Sequence, residues 1–208
     1  MSQPICHSLL RKTLYDRSCY PPMLTPVKPQ KGSLLVSEPF MLDPNFKRSV
    51  VLLTEFEEQG AIGFILNQRS DFIVSDILPE SNCSLPVYIG GPVANDTLHF
   101  IHSCYDKLSS GIEIMEGVYW GGNFEALQIL ISNNQIDSSE IKFFMGYSGW
   151  AEEQLESELD QNSWLVASKY NSEVIFVEDE ENLWKEVVIG LGPKYAHIAN
   201  FPENPQWN

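Results

Sequence analysis

Long apolar runs are missing from this sequence. The longest, Ser49 to Thr54 and Ala61 to Leu66, are strand-length, far short of the roughly 20 residues an apolar helix needs to cross a bilayer. A soluble protein with no membrane role is expected. Positive charge is scarce too: 13 Lys and Arg stand against 28 Asp and Glu, a formal net charge of −15. Five of those bases, Arg11, Lys12, Arg17, Lys28 and Lys31, fall in residues 1–31 beside one acid, Asp16. Nucleic-acid affinity comes largely from Lys and Arg displacing counterions, so direct DNA or RNA binding by the acidic body is disfavoured. The basic segment alone would bind nucleic acid in a salt-sensitive, nonspecific way. Cysteine is sparse and unpatterned. Cys6, Cys19, Cys83 and Cys104 form no C-x-x-C pair, and the first residues lack the apolar core of a secretory leader. Reduced thiols in a cytoplasmic protein are expected. The two common phosphate loops, G-x-x-x-x-G-K-[ST] and G-x-G-x-x-G opening a helix, are also absent.

What is present is a globular composition, 43% hydrophobic and 20% charged. A chain of 208 residues suits one domain with a sizeable core. Residues 1–31 read as a flexible, basic, Pro-rich N-terminal segment, since Pro21, Pro22, Pro26 and Pro29 keep the chain extended. Residues 32–208 read as the single domain.

Within it, Ser33 to Ser37 is a short apolar strand stopped by Glu38-Pro39. Ser49 to Phe56 and Ala61 to Asn67 flank a polar turn ending in Gly60, the pattern of a β-hairpin buried on both faces. Val74 to Leu78 reads as a helical turn. Pro86 to Ile89 is a strand running into Gly90-Gly91-Pro92, which is either a tight turn or an anion-binding concavity of backbone N–H groups. Leu98 to Ser103 and Gly111 to Tyr119 supply further strands, and Asn123 is a fit N-cap for a helix carrying Phe124, Leu127, Leu130 and Ile131. Ile141 to Met145 is strand-like, and Gly146-Tyr147-Ser148-Gly149-Trp150 reads as its end, a tight turn and a helix start, with Ala151, Leu155 and Leu159 on one helix face. Trp164 to Ala167 and Val174 to Val177 are strand-like, and Glu180 to Leu191 is an amphipathic helix ended by Gly192-Pro193. Strands in local pairs with helices inserted late favour α+β over a doubly wound fold.

The ordered motifs 32–39, 63–67, Gly90-Gly91-Pro92-Val93, Trp120-Gly121-Gly122 and Gly146-Tyr147-Ser148-Gly149-Trp150 with Gln154-Leu155-Glu156 together resemble the bacterial AlgH/YqgE family. The resemblance covers roughly residues 32 to 208. It implies an α+β domain with a mixed, largely antiparallel, bifurcated and partly barrel-like sheet flanked by helices. Some family members carry the label of transcriptional regulator, and the family's activity is unsettled. The matching motif positions here are Asn67, Gly90, Gly91, Pro92, His102, Gly121, Gly122, Gly146, Tyr147, Gly149, Trp150, Gln154, Glu156 and Glu158. The chain departs from the family after Trp150, where Ala151-Glu152-Glu153 stands in place of a glycine-containing turn.

Candidate chemistry is thin. Ser148 resembles a nucleophile elbow, but Trp150 replaces the final glycine of G-x-S-x-G, which favours a turn serine. His99, His102 and Cys104 are suitable zinc ligands, yet residues 99 and 102 of a strand point to opposite faces, and no third ligand is near. The acidic run Glu152, Glu153, Glu156, Glu158 and Asp160 reads as a solvated helix face that a basic partner would relieve. No metal or cofactor is expected. Glycine pairs follow strands at 90, 121 and 146. If those strand ends meet, Gly90, Gly91, Gly121, Gly122, Tyr147 and Trp150 line a shallow cleft with aromatic walls; otherwise the glycines serve close-packed turns. The expected function is an interaction or regulatory module whose cleft takes a protein segment or a small ligand. The alternative is an enzyme acting on a small anionic substrate there, with Asn67, His102 or a glutamate as polar groups.

Overall fold

The computed structural model describes residues 27–178 and 180–202. Most of the expected N-terminal segment, Cys6, Cys19 and Trp207 lie outside the described residues. In chain order the strands are β1 Leu34–Ser37, β2 Val50–Glu57, β3 Gly60–Ile65, β4 Arg69–Ile73, β5 Pro86–Ile89, β6 Val93–His102, β7 Ile112–Met115, β8 Val118–Trp120, β9 Ile141–Ala151 and β10 Trp164–Ala167. The helices are α1 Val74–Ile77, α2 Tyr105–Leu108, α3 Phe124–Ser132, α4 Gln154–Asp160 and α5 Glu180–Gly190. No helix among the described residues is long and apolar enough to cross a membrane.

The fold is α+β, a mixed and largely antiparallel sheet ordered β10-β1-β2-β3-β9-β6-β8-β7, with β4 and β5 attached beside β9. The expected hairpin is β2–β3, with Val51 opposite Ile65 and Leu52 opposite Phe64. Its burial on both faces follows from strand alternation. Leu34, Val36, Val50 and Leu52 point to one side, where α5 lays down Leu183, Trp184, Val187 and Val188. Leu35, Val51 and Leu53 point to the other, onto Trp150, Leu155 and Trp164. A third core lies under α3, where Leu127 and Ile131 meet Val87, Phe100 and Phe143. The α5 positions recur at i, i+1, i+4 and i+5, one stripe of a 3.6-residue helix, and the Trp184 indole N–H donates to the Ser37 carbonyl at 2.9 Å.

The sheet is curled but not closed. Tyr170 Oη donates to the Gly32 carbonyl at 2.6 Å and reaches Met115 of β7, and a Cβ on Gly32 would lie 3.3 Å from the Ile114 carbonyl. The two ends of the sheet thus approach, while β7 and β10 each keep one neighbour in the strand order.

Two sequence expectations are corrected. Residues 174–177 are not a strand: Ser172–Phe176 forms a 3-10 turn capped by Asn171, which sinks Ile175 and Phe176 into the core. The stretch 146–150 is not a turn into a helix, for β9 runs unbroken to Ala151. Its second half finds a partner in β3, Ala61 opposite Trp150 and Gly63 opposite Ser148, and these ladder hydrogen bonds hold it extended. The chain reverses later, with Glu153 in the left-handed region at φ 60° just before α4. Ala151 therefore lies on the strand rather than on the helix face.

Candidate functional site

Strand β9 has three neighbours, and the glycines mark where it exchanges them. Over residues 143–145 it is parallel to β5 on one side and antiparallel to β6 on the other. Over residues 148–151 it pairs with β3. Gly146 lies between the two halves at φ 65°, and a Cβ there would come within 2.6 to 2.9 Å of Val93 O, Asn95 Oδ1 and Gly91 O. Gly90 joins the strands. Its N–H donates to Met145 O at 2.8 Å, and its carbonyl accepts from Ile65 N–H at 2.9 Å and Ser148 Oγ at 3.0 Å. A side chain at Gly90 or Gly91 would lie 2.3 Å from β9 backbone. Gly90, Gly91 and Gly146 are therefore the branch point of the sheet, and buried Ser148 is a strut within it.

Trp150, Gln154 and Glu158 form a separate lock between β9, α4 and β10. Glu158 Oε2 accepts both indole N–H groups, Trp150 at 2.9 Å and Trp164 at 2.7 Å. Its other oxygen accepts from Gln154 Nε2 at 2.9 Å, while Gln154 Oε1 takes the Ala151 N–H at 3.0 Å. Phe46 stacks on Trp150 and meets Trp164 edge-on. Trp150 is buried among these groups, away from Gly121 and Gly122, and Glu156 stays on the exposed side of α4. Trp150, Gln154 and Glu156 thus stand apart from the strand-end cleft that the motifs suggested.

A hollow does form at the second glycine pair. A recess of about 470 Å³ is lined by His99, Gly111, Ile112, Trp120, Gly121 and Gly122. Its rings are His99 and Trp120, 6.1 Å apart between centroids, and Tyr147, outside the lining, meets the His99 ring edge-on at 6.0 Å. Pro92, Val93 and Gly149 lie exposed on the Tyr147 side. Of the motif residues the hollow takes Gly121 and Gly122, with Tyr147 adjoining through His99, whereas Gly90, Gly91 and Gly146 pack at the branch. The sequence reading weighed His99 only as a metal ligand and did not single out Gly111 or Ile112. They reach the hollow because β8 turns back between β6 and β7, a pairing that no local spacing reveals.

His102 sits beneath the floor, fully buried. Its Nε2 donates to Gly121 O at 3.1 Å, which leaves Nδ1 of the neutral ring to accept the Cys104 thiol at 3.7 Å. Burial lowers the pKa of both His99 and His102, the Gly121 and Ser110 backbone groups partly opposing it at His102. Burial likewise pushes the Cys104 thiol up to about 11. Among the described residues no group of three or more His, Cys, Asp or Glu side chains could hold a metal ion.

Asn67 belongs elsewhere again. Its Oδ1 accepts Val50 N–H and its Nδ2 donates to Arg48 O, both at 2.9 Å, which clamps the corner before β2. Strand β9 carries a buried lysine. Lys142 Nζ donates to Val177 O at 2.9 Å and sits 4.1 Å from the Tyr88 ring centre. Tyr88 Oη in turn donates to Glu180 at 2.7 Å. Burial lowers the Lys142 ammonium to about 8 against the opposing pull of Glu180 and Glu178, and burial followed by Glu180 raises the Tyr88 phenol.

These features define an open, branched α+β sheet whose glycine and tryptophan motifs are largely architectural, with one ring-walled hollow at the β6–β8 side. Residues 34–196 match the AlgH-like family, and the chain belongs to it. It is 42% identical over 182 residues to a UPF0301 protein of Chlorobium limicola, covering 87% of this chain and 97% of that protein. It is 40% identical over 185 residues to a UPF0301 protein of Bacteroides thetaiotaomicron, covering 88% and 93%. The solution structure of the AlgH protein from Pseudomonas aeruginosa superposes with a TM-score of 0.65 at 26% identity, over 83% of this chain and 94% of that one. A crystal structure of a Corynebacterium diphtheriae protein shares the fold with a TM-score of 0.71 at 24% identity, over 85% and 94%.

Proposed function

We propose that this protein is a non-catalytic cytoplasmic interaction or regulatory module, and that the His99–Trp120 hollow receives an apolar side chain from a segment of a partner protein. The observation that carries the reading is the juxtaposition of Ile112, 53% exposed, with a recess walled by aromatic rings and floored by glycine backbone. Such a seat supplies apolar area and shape, the ingredients of an anchor pocket. His99 is held by Thr97 Oγ1 at 2.9 Å, and burial is what displaces its pKa. Free, buried Cys83 and Cys104 suit a reducing compartment.

The test is a photoreactive residue at position 112, used to crosslink and identify partners in cells. A synthetic segment of the captured partner is then titrated against wild type and Ile112→Asp. Burying an isoleucine contributes about 1.5–3 kcal/mol, so Kd should rise by about ten- to a hundredfold with Tm unchanged. Equal affinity for the variant would sink the reading. A small molecule that raises Tm through the same residues would favour the enzymatic alternative.

A further inference from the structure

We propose that a second cleft, between the corner before β2, the first turns of α5 and residues 199–201, binds a small molecule through its phosphate or carboxylate group. The cleft encloses about 520 Å³ and shares no lining residue with the His99 hollow. That volume is in the range of small-molecule sites and far exceeds one oxyanion, so the ligand has a body beyond its charged group.

Charge placement is the first observation. After residue 31 the chain has eight Lys and Arg in an otherwise strongly acidic body. Three of them, Lys47, Arg48 and Lys185, line this one cleft, beside the amides of Asn67 and Asn200. Two acids line it as well, but the Glu180 carboxylate is engaged, accepting from Tyr88 Oη at 2.7 Å with Arg69 at 3.9 Å. Glu181 is exposed in the first turn of α5.

The second observation is Arg48 itself. Its backbone is left-handed at φ 48°, a conformation that a non-glycine residue adopts when its surroundings impose it. Around it, Asn67 Nδ2 donates to the Arg48 carbonyl and Trp184 lies under the guanidinium at 4.6 Å. One guanidinium nitrogen donates to Phe201 O. Among the described residues, Arg48 Nε is the buried side-chain nitrogen or oxygen that has no hydrogen-bond partner. Nε has no surface open to the cleft, so an oxyanion there would meet the terminal nitrogens of a guanidinium that stacking and tethering hold in place. Lys47 and Lys185 add mobile ammonium groups at the rim.

The experiment titrates inorganic phosphate and, separately, citrate into the full chain at constant ionic strength, with sodium chloride as control. Binding is followed by calorimetry and by NMR of the Arg48 Nε–H and the Asn67 and Asn200 side-chain amides. Saturable shifts at those groups are expected, with Kd rising about tenfold in Lys47→Gln and in Lys185→Gln. Both lysines are exposed, so Tm without added anion should not move. Phosphate alone saturating the site would identify phosphate esters as the ligand class, and citrate alone would identify carboxylates. The proposal is overturned by the absence of saturation up to about 50 mM, by shifts that map to other residues, by chloride reproducing them, or by equal Kd in both variants. Because the hollow at His99 lies elsewhere, either proposal can fail without the other.

Discussion

Replacing Lys142 with methionine isolates a charge that the fold holds against its solvation. The ammonium is buried, and its pKa falls from 10.5 to about 8. The sign follows from which state holds the proton. Between pH 8 and 10.5 the unfolded chain keeps Lys142 protonated while the folded chain releases it. The unfolded state then binds more protons, and stability rises with pH. The gain is lost as pH falls through 8, below which both states carry the charge. At 1.36 kcal/mol per tenfold change, the lysine should contribute about 2 kcal/mol more stability at pH 9.5 than at pH 7.5. Other groups titrate in this window, including the buried thiols, but they are common to both proteins and cancel in the difference. Urea unfolding followed by tryptophan fluorescence at the two pH values is the assay. Lys142→Met forfeits the Val177 hydrogen bond and the Tyr88 contact, yet at neutral pH it also removes a buried charge. Its stability relative to wild type should therefore be higher at pH 7.5 than at pH 9.5. Parallel pH profiles would refute the reasoning, because they would mean the folded lysine titrates like a solvated one.

Gly90→Ala places a methyl group 2.3 Å from the Gly146 carbonyl and 2.9 Å from the Phe64 ring, so a loss of about 3 kcal/mol or more is expected from overpacking against backbone. Gly190→Ala, with open space around it, is the control that should cost nothing in the same thermal melt. Glu158→Ala strips two indole N–H groups of their acceptor and should cost about 2–4 kcal/mol while changing tryptophan emission; a loss below about 0.5 kcal/mol would deny the lock its role. His99 and His102 have folded pKa values below their ordinary 6.5, so their contribution is present above pH 6.5 and lost as acidification drops through the folded values. Urea midpoints between pH 7 and 5 should fall, and His102→Gln should flatten that slope.

Much of the fold is legible locally. Two apolar runs around the polar turn at Gly60 place the β2–β3 hairpin, and the apolar spacing of Leu127 and Ile131 and of Leu183 to Val188 places α3 and α5. Each pattern arises within a few residues and needs only a core to face. Composition likewise determined the acidic character of the chain. Tertiary structure decided the rest. Gly146 to Trp150 carries every local mark of a turn, yet it stays extended because β3 offers it a ladder 85 residues away in sequence, Gly63 to Ser148. That pairing sets Gly90 and Gly146 at the branch of the sheet, close against neighbouring backbone. It also sends Trp150 to the opposite face from Tyr147, where Glu158 and Trp164 wait for it. His99 entered the sequence reading only as a candidate metal ligand, and Ile112 and Arg48 carried no local signal, for the same reason. A strand's side chains declare their face by alternation, but what stands across from that face is set by strand order, and strand order is a property of the whole chain.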